Sequence, residues 1–173
     1  MILWFVGTAW LAVWFVFRDP RFDYRWLAVG ALLPDIVDLV LDGLFGWRPF
    51  HSITAAIAVL VVVMLATVGR RSARKRLLAV PIGMFLHLVF DGAFNSTKVF
   101  WWPFTGLGFP AGGIPSIDRL PGGLVLEAIG VLLVWWCGKR AGLDLPGPRG
   151  RFARTGELDL GGVDPWDREV PTC

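Results

Sequence analysis

The apolar residues of this chain are gathered into five blocks, and each block reads as one pass of helix. The blocks are 2–17, about 26–45, 51–68, about 77–94 and about 124–137. Apolar runs near the length of roughly 17–25 residues cross the hydrocarbon of a bilayer as helices. An amphipathic soluble bundle would instead spread polar residues along every helix. With 55% of its 173 residues hydrophobic and a mean hydropathy of +0.59, the chain has more apolar surface than a water-soluble domain of this size hides. The expectation is an all-α integral membrane bundle of about five helices over 1–142. The first block lacks a basic leader and a small-residue cleavage site, and Arg18 follows it directly, so it reads as a retained helix.

Lysine and arginine set the orientation expected of such a bundle. RRSARKR, residues 70–76, joins the third and fourth blocks and carries five positive charges. Short loops rich in these residues stay cytoplasmic. Alternation then puts Arg18, Arg21, Arg25 and everything from Lys139 onward on that side, with the N-terminus outside. Arg48, Lys98 and Arg119, three of the 17 basic residues, fall on the outer side. On this reading the net charge of +3 is a signature of topology. No basic-aromatic array points to nucleic acid.

Beyond Gly142 the composition turns to Gly, Pro and charge without apolar period. Such a segment buries too little surface to offset its ordering entropy, so 143–173 is expected to be a mostly disordered cytoplasmic tail. Cys137 and Cys173 fall on the same side and form no Cys-x-x-Cys, which argues against a structural disulfide or a thiolate metal site.

Asp and Lys at the centre of a spanning helix cost roughly 2.5–3.5 kcal/mol each. Yet Asp35, Asp38, Asp42, Asp91 and Glu127 stand inside these blocks. Asp35, Asp38 and Asp42 share one helix face, at i, i+3 and i+7, and His87 and Asp91, four apart, share another. His51 opens the third block, before Ser52. Both histidines of the chain therefore fall close to aspartates. Neutral imidazole with carboxylate is a common ligand set for zinc and other divalent metals. A cation would also cancel repulsion among the aspartates. At about 1.5 Å per residue, Asp35 and His87 lie roughly 14–15 Å from the inner ends of their blocks, whereas His51 belongs near the outer edge. A site uniting Asp35 with His51 thus requires a tilted or broken second helix, and Pro34 is the candidate for the break. Structural readings compete: His87 as a hydrogen-bonded packing residue, Asp35 as the cap of a helix restarting after Pro34, Asp38 and Asp42 as solvent-facing groups. Glu127 has no obvious partner.

GALLPD (30–35), HS (51–52), HLVFD (87–91) and WWP (101–103), in this order, resemble the bacterial inner-membrane, metal-dependent hydrolases typified by the LexA-regulated hydrolase. The resemblance covers about residues 27–105. It implies a small helical bundle in the bacterial cytoplasmic membrane and a divalent metal, with zinc first. Metal ligation would fall to Asp35, Asp38, His51, His87 and Asp91. The chain departs from that pattern in having no histidine in its first block and a wider acidic pair, PDIVD.

A metal there implies hydrolysis of a lipid or other amphiphilic ester, a phosphoester first, at the outer leaflet. The ion would activate water and polarise the scissile oxygen, and Asp38 or Asp42 would accept the proton. Segment 95–123, aromatic and rich in Gly and Pro, would lie over the site, with Lys98 or Arg119 against a phosphate. An interfacial anchor with Trp101, Trp102 and a snorkelling lysine explains the same residues. No Gly-x-Ser-x-Gly, P-loop or dinucleotide motif occurs. Two other classes stay open: a non-catalytic bundle that binds a lipid or partner, and an ion pathway through intramembrane carboxylates and histidines.

Overall fold

Each of the five apolar blocks forms a helix. The computed structural model describes residues 1–19, 21–109 and 122–161, and no strand occurs among them. Helix α1 is Ile2–Phe17, α2 is Tyr24–Phe45, α3 is Ile53–Ala66, α4 is Arg71–Leu77 and α5 is Ala79–Phe90. A short α6, Thr97–Phe100, precedes α7, Gly122–Arg140, and α8, Pro146–Thr155. The expected blocks shift at their edges for local reasons. Helix α2 begins early because Asp23 caps it, accepting from the backbone N–H groups of Arg25 and Trp26. It ends where Gly46, at φ 68°, takes the left-handed conformation that closes helices. The basic linker is itself helical, as α4.

Glycine sets the two closest helix contacts. A Cβ on Gly30 would collide with the backbone of Val80, and one on Gly83 with the backbone of Leu27 and Ala31. Helices α2 and α5 therefore touch backbone to backbone. Gly130 of α7 does the same against Leu3 and Trp4 of α1, and Gly7 faces Leu133. Small residues at such crossings let backbones approach without a side chain between them. Glu127 finds its partner here: its carboxylate accepts from the N–H of Leu3 at 3.1 and 3.2 Å and from that of Trp4 at 3.4 Å. Those donors belong to the first turn of α1, which has no acceptors of its own. The carboxylate also suits the positive end of the helix dipole.

The basic segments gather at one end. Lys75 pairs with Asp19 at 3.3 Å, and Arg140 donates to the Leu160 carbonyl at 2.7 Å. The expectation of a disordered tail over 143–173 is corrected for the part described. Residues 146–155 are helical, and Leu158 and Leu160 are buried in a cluster with Phe22, Tyr24 and Cys137. The Tyr24 N–H donates to the Gly156 carbonyl at 2.9 Å, and Phe152 meets Trp10 edge-on. Two leucines spaced i, i+2 in extended chain, LDL, supply the apolar face that composition averaged away. Residues 162–173 lie outside the described part.

The surface is greasier than the centre is dry. Phe15, Ile36, Leu39, Val40, Val62 and Leu132 are all more than half exposed, while Asp38, His51, His87 and Asp91 are buried at 0–2%. By length and apolar content, α7 is the one described helix that suffices to cross a membrane; α1 and α3 are apolar but shorter. Helix α2 is long enough but carries Asp35, Asp38 and Asp42.

Candidate metal centre

The geometry starts from Pro34. Lacking an N–H, it leaves one bond of the α2 ladder unmade, yet α2 runs unbroken through it to Phe45. Of the two routes the sequence leaves open, a tilted or a broken second helix, the break at Pro34 does not occur. What brings His51 to Asp35 is the chain after α2. It turns back at Gly46 and runs down beside α2 to a single 3-10 turn, Pro49–His51. Asp38 anchors that return. Its Oδ1 accepts from the Phe50 N–H at 2.9 Å, and its Oδ2 from the His51 N–H at 3.0 Å. Ser52 then caps α3 by accepting from the Ala55 N–H at 3.1 Å.

The two imidazoles are each held from behind. His51 Nδ1 lies 2.6 Å from Asp38 Oδ2, and His87 Nδ1 lies 2.7 Å from the carbonyl oxygen of Ala31. A carbonyl can only accept, so His87 carries its proton on Nδ1. With the Asp38 carboxylate ionised, the same holds for His51. Both Nε2 lone pairs are thereby turned inward. They lie 3.4 Å apart, and Asp35 Oδ1 sits 3.3 Å from that of His51 and 3.6 Å from that of His87. Three electron-rich atoms facing one another repel unless a cation or proton lies among them. The Phe5 ring, 3.9 Å centroid to centroid, closes over His87 from α1. The Asp35 side chain, 23% exposed, is the cluster's most accessible member.

The donor set fits a metal. A tetrahedral ion at about 2.0–2.1 Å from each ligand sets its ligands roughly 3.3–3.4 Å apart. The observed separations, 3.3, 3.4 and 3.6 Å, lie within a few tenths of an ångström of that. Each imidazole also has the outer hydrogen bond that ligating histidines usually make, one to a carboxylate and one to a backbone carbonyl.

Of the five expected ligands, Asp35, His51 and His87 converge within 4.8 Å. Asp38 stands behind His51 with both oxygens engaged by backbone and ring donors and no exposure, so it positions His51 and is poorly placed to accept a proton from water. Asp91 is buried at the C-cap of α5, one turn beyond His87, and is not among the converging atoms. Asp42 lies 3.7 Å from the guanidinium of the buried Arg48. Lys98 is exposed on α6, and Arg119 falls outside the described residues. Sequence reasoning missed the Ala31 carbonyl. Its signal was the small-residue run GA at 30–31 facing Gly83, which lets α5 come close enough for His87 to reach backbone.

Comparison with protein-family models, with curated proteins and with solved structures returns no match. The cluster is read from its own geometry.

If Asp38 positions His51, Asp38→Asn should weaken metal binding by about 10- to 100-fold, the usual loss for an outer partner of a metal-bound histidine. One amide oxygen would remain, but its NH₂ would confront an N–H donor. Titration of the apoprotein with zinc reads the change; wild-type affinity in the variant would remove Asp38 from the site.

Proposed function

We propose that this protein is a membrane-embedded, divalent-metal-dependent hydrolase that acts on a lipid or other amphiphilic ester, a phosphoester first, at the outer leaflet. The observation that carries the reading is the inward convergence of Asp35 Oδ1 with two histidine Nε2 atoms whose outer nitrogens are already committed. Two imidazoles and one carboxylate make a three-ligand set of the kind that leaves a fourth position open for substrate or water in catalytic zinc sites. An ion held there would polarise a phosphoryl or acyl oxygen and bring the pKa of water towards about 7. The chain's own residues do the rest. Ala31 and Asp38 fix the ring tautomers, Phe5 shields His87, and Asp35 lies at the accessible edge.

The membrane part of the reading is supported by the apolar perimeter around a polar centre, an arrangement that costs dearly in water. It is also supported by the gathering of Arg18, α4 and the Lys139–Arg140 end at one end of the bundle, as a cytoplasmic face requires. The resemblance carried by GALLPD, HS and HLVFD suggests five ligands, and three of them, Asp35, His51 and His87, are the residues that meet.

One observation favours a second reading. His51 has a carboxylate at each nitrogen, at 2.6 and 3.3 Å. A protonated His51 would hold the same cluster as a metal-free polar network in a non-catalytic bundle. Purification without chelators, followed by elemental analysis and phosphoester turnover, separates the two. The hydrolase reading expects about one zinc-like ion per chain and turnover abolished by chelator. Metal-free protein whose thermal midpoint ignores zinc and chelator alike would establish the network instead. Cysteine labelling at Ser72 and Thr105 of intact cells tests the orientation: reaction from outside is expected at 105 only, and reaction at 72 would overturn it.

A further inference from the structure

A polar cavity of about 460 Å³ opens at the basic end of the bundle, and no member of the Asp35–His51–His87 cluster lines it. Five charged side chains do: Arg21 from the turn between α1 and α2, Arg140 from the last position of α7, Arg151 from α8, and Glu157 and Asp159 from the chain after α8. Local structure explains how they meet. Leu158 and Leu160 are buried at 0 and 1%, and alternation along the chain turns Glu157 and Asp159 to the other side. Arg140 is held to the same segment by its Nε, which donates to the Leu160 carbonyl at 2.7 Å.

The charges do not cancel in pairs. Among the described residues no ion pair joins Arg21, Arg140 or Arg151 to a carboxylate; the pairs formed nearby are Arg25 with Asp23, Lys75 with Asp19 and Lys139 with Asp144. Three guanidiniums and two carboxylates thus line one cavity, and the ligand that suits it carries both signs. Position adds a second constraint. Arg140 ends α7, the one described helix long and apolar enough to cross a membrane. A cavity walled by that residue lies where a spanning helix leaves the hydrocarbon, at the depth of lipid headgroups.

We propose that this cavity binds the headgroup of a zwitterionic phospholipid bearing a primary amine, with its phosphate on Arg21, Arg140 and Arg151 and its ammonium on Glu157 and Asp159; the proposal rests on the membrane part of the reading above and not on hydrolysis. Guanidinium offers phosphate oxygens paired N–H donors, and an ammonium offers three donors to the carboxylates. A headgroup whose only charge is its phosphate leaves both carboxylates facing an anion. A trimethylated amine keeps its charge but loses its donors.

The test offers full-length protein phosphatidylethanolamine, phosphatidylcholine and phosphatidylglycerol of matched acyl chains, and counts retained lipid by native mass spectrometry. One phosphatidylethanolamine per chain is expected, held about tenfold more tightly than the other two, the difference that a charge-assisted hydrogen bond makes. Arg21→Ala and Arg151→Ala remove guanidiniums that make no described bond, and each should weaken retention about tenfold. Arg149→Ala, which removes the same charge from α8 outside the cavity, should not. Glu157→Gln combined with Asp159→Asn should turn the preference towards phosphatidylglycerol. Equal retention of the three lipids, or a preference that survives both arginine variants, would overturn the proposal. Glycerophosphoethanolamine that displaces the lipid at equal concentration would make the soluble ester the ligand and overturn the lipid source. Protein that stays in solution without detergent and binds only that ester would end the membrane reading and keep the cavity's chemistry. Selective retention by a protein that turns nothing over would uphold the proposal and end the hydrolase reading alone.

Discussion

His87→Ala is expected to purify without stoichiometric metal and to lose hydrolysis to background, while the helices remain assembled. The side chain supplies one of only two nitrogens in the cluster, and its loss leaves one imidazole and one carboxylate. Two protein ligands hold zinc poorly, and oxygen-rich remnants suit harder ions such as magnesium. The Ala31 carbonyl loses a partner, and the Phe5 ring loses its contact at 3.9 Å. Those losses cost about 1–3 kcal/mol of stability, which the bundle should tolerate because its closest helix contacts are elsewhere, at Gly30, Gly83 and Gly130. Circular dichroism in detergent, elemental analysis and turnover report the three quantities separately. Wild-type metal content in the variant would show that the ion sits outside the Asp35–His51–His87 cluster.

Gly83→Val is expected to be among the substitutions most damaging to the fold. Its Cβ would enter the backbone of Leu27 and Ala31, atoms that no rotamer change can move aside. The helices must separate, and overpacking of this kind costs about 1–3 kcal/mol, occasionally more. Separation also lifts the Ala31 carbonyl away from His87, so metal affinity should fall along with the thermal midpoint. Gly43→Ala on α2 provides the contrast. A Cβ there meets nothing within 4 Å, and replacing a helical glycine gains about 0.5–1 kcal/mol. Equal thermal midpoints for Gly83→Val and wild type would mean that the α2–α5 contact is looser than the structure has it.

Periodicity and block length made the helices legible. Asp35, Asp38 and Asp42 on one face and His87 on another could be read directly because a helix translates spacing into direction. Depth could not be read the same way. Counting residues outward along α2 and assigning His51 to the outer edge assumes that each loop crosses the boundary once, and segment 46–51 folds back instead. The instruction for that return is Asp38, whose carboxylate binds the backbone of Phe50 and His51. Nothing in the spacing distinguishes such an anchor from a metal ligand. The sequence likewise shows a carboxylate at Glu127 without a partner, because that partner is the backbone of α1, and backbone donors leave no mark on composition. The docking of Leu158 and Leu160 was hidden for a related reason: two apolar residues in a polar stretch register only against the surface that receives them.

The link between Glu127 and Leu3 spans 124 positions of chain, and that separation has a consequence for how the molecule is made. Segments near in sequence find each other early, whereas distant ones pay for closing a long loop. Helices α2, α3 and α5, with the turn at Pro49–His51, hold every candidate ligand and exist before α7 has been synthesised. Helix α1 gets its carboxylate cap and its closest helix contact only from α7. The ring that covers His87, Phe5, therefore belongs to a helix that meets its neighbour α2 early, through Trp10 and the Tyr24 carbonyl, and receives its N-terminal cap late. In biosynthetic order the chain that carries Asp35, His51 and His87 is complete before the segment that caps the first turn of α1 has emerged.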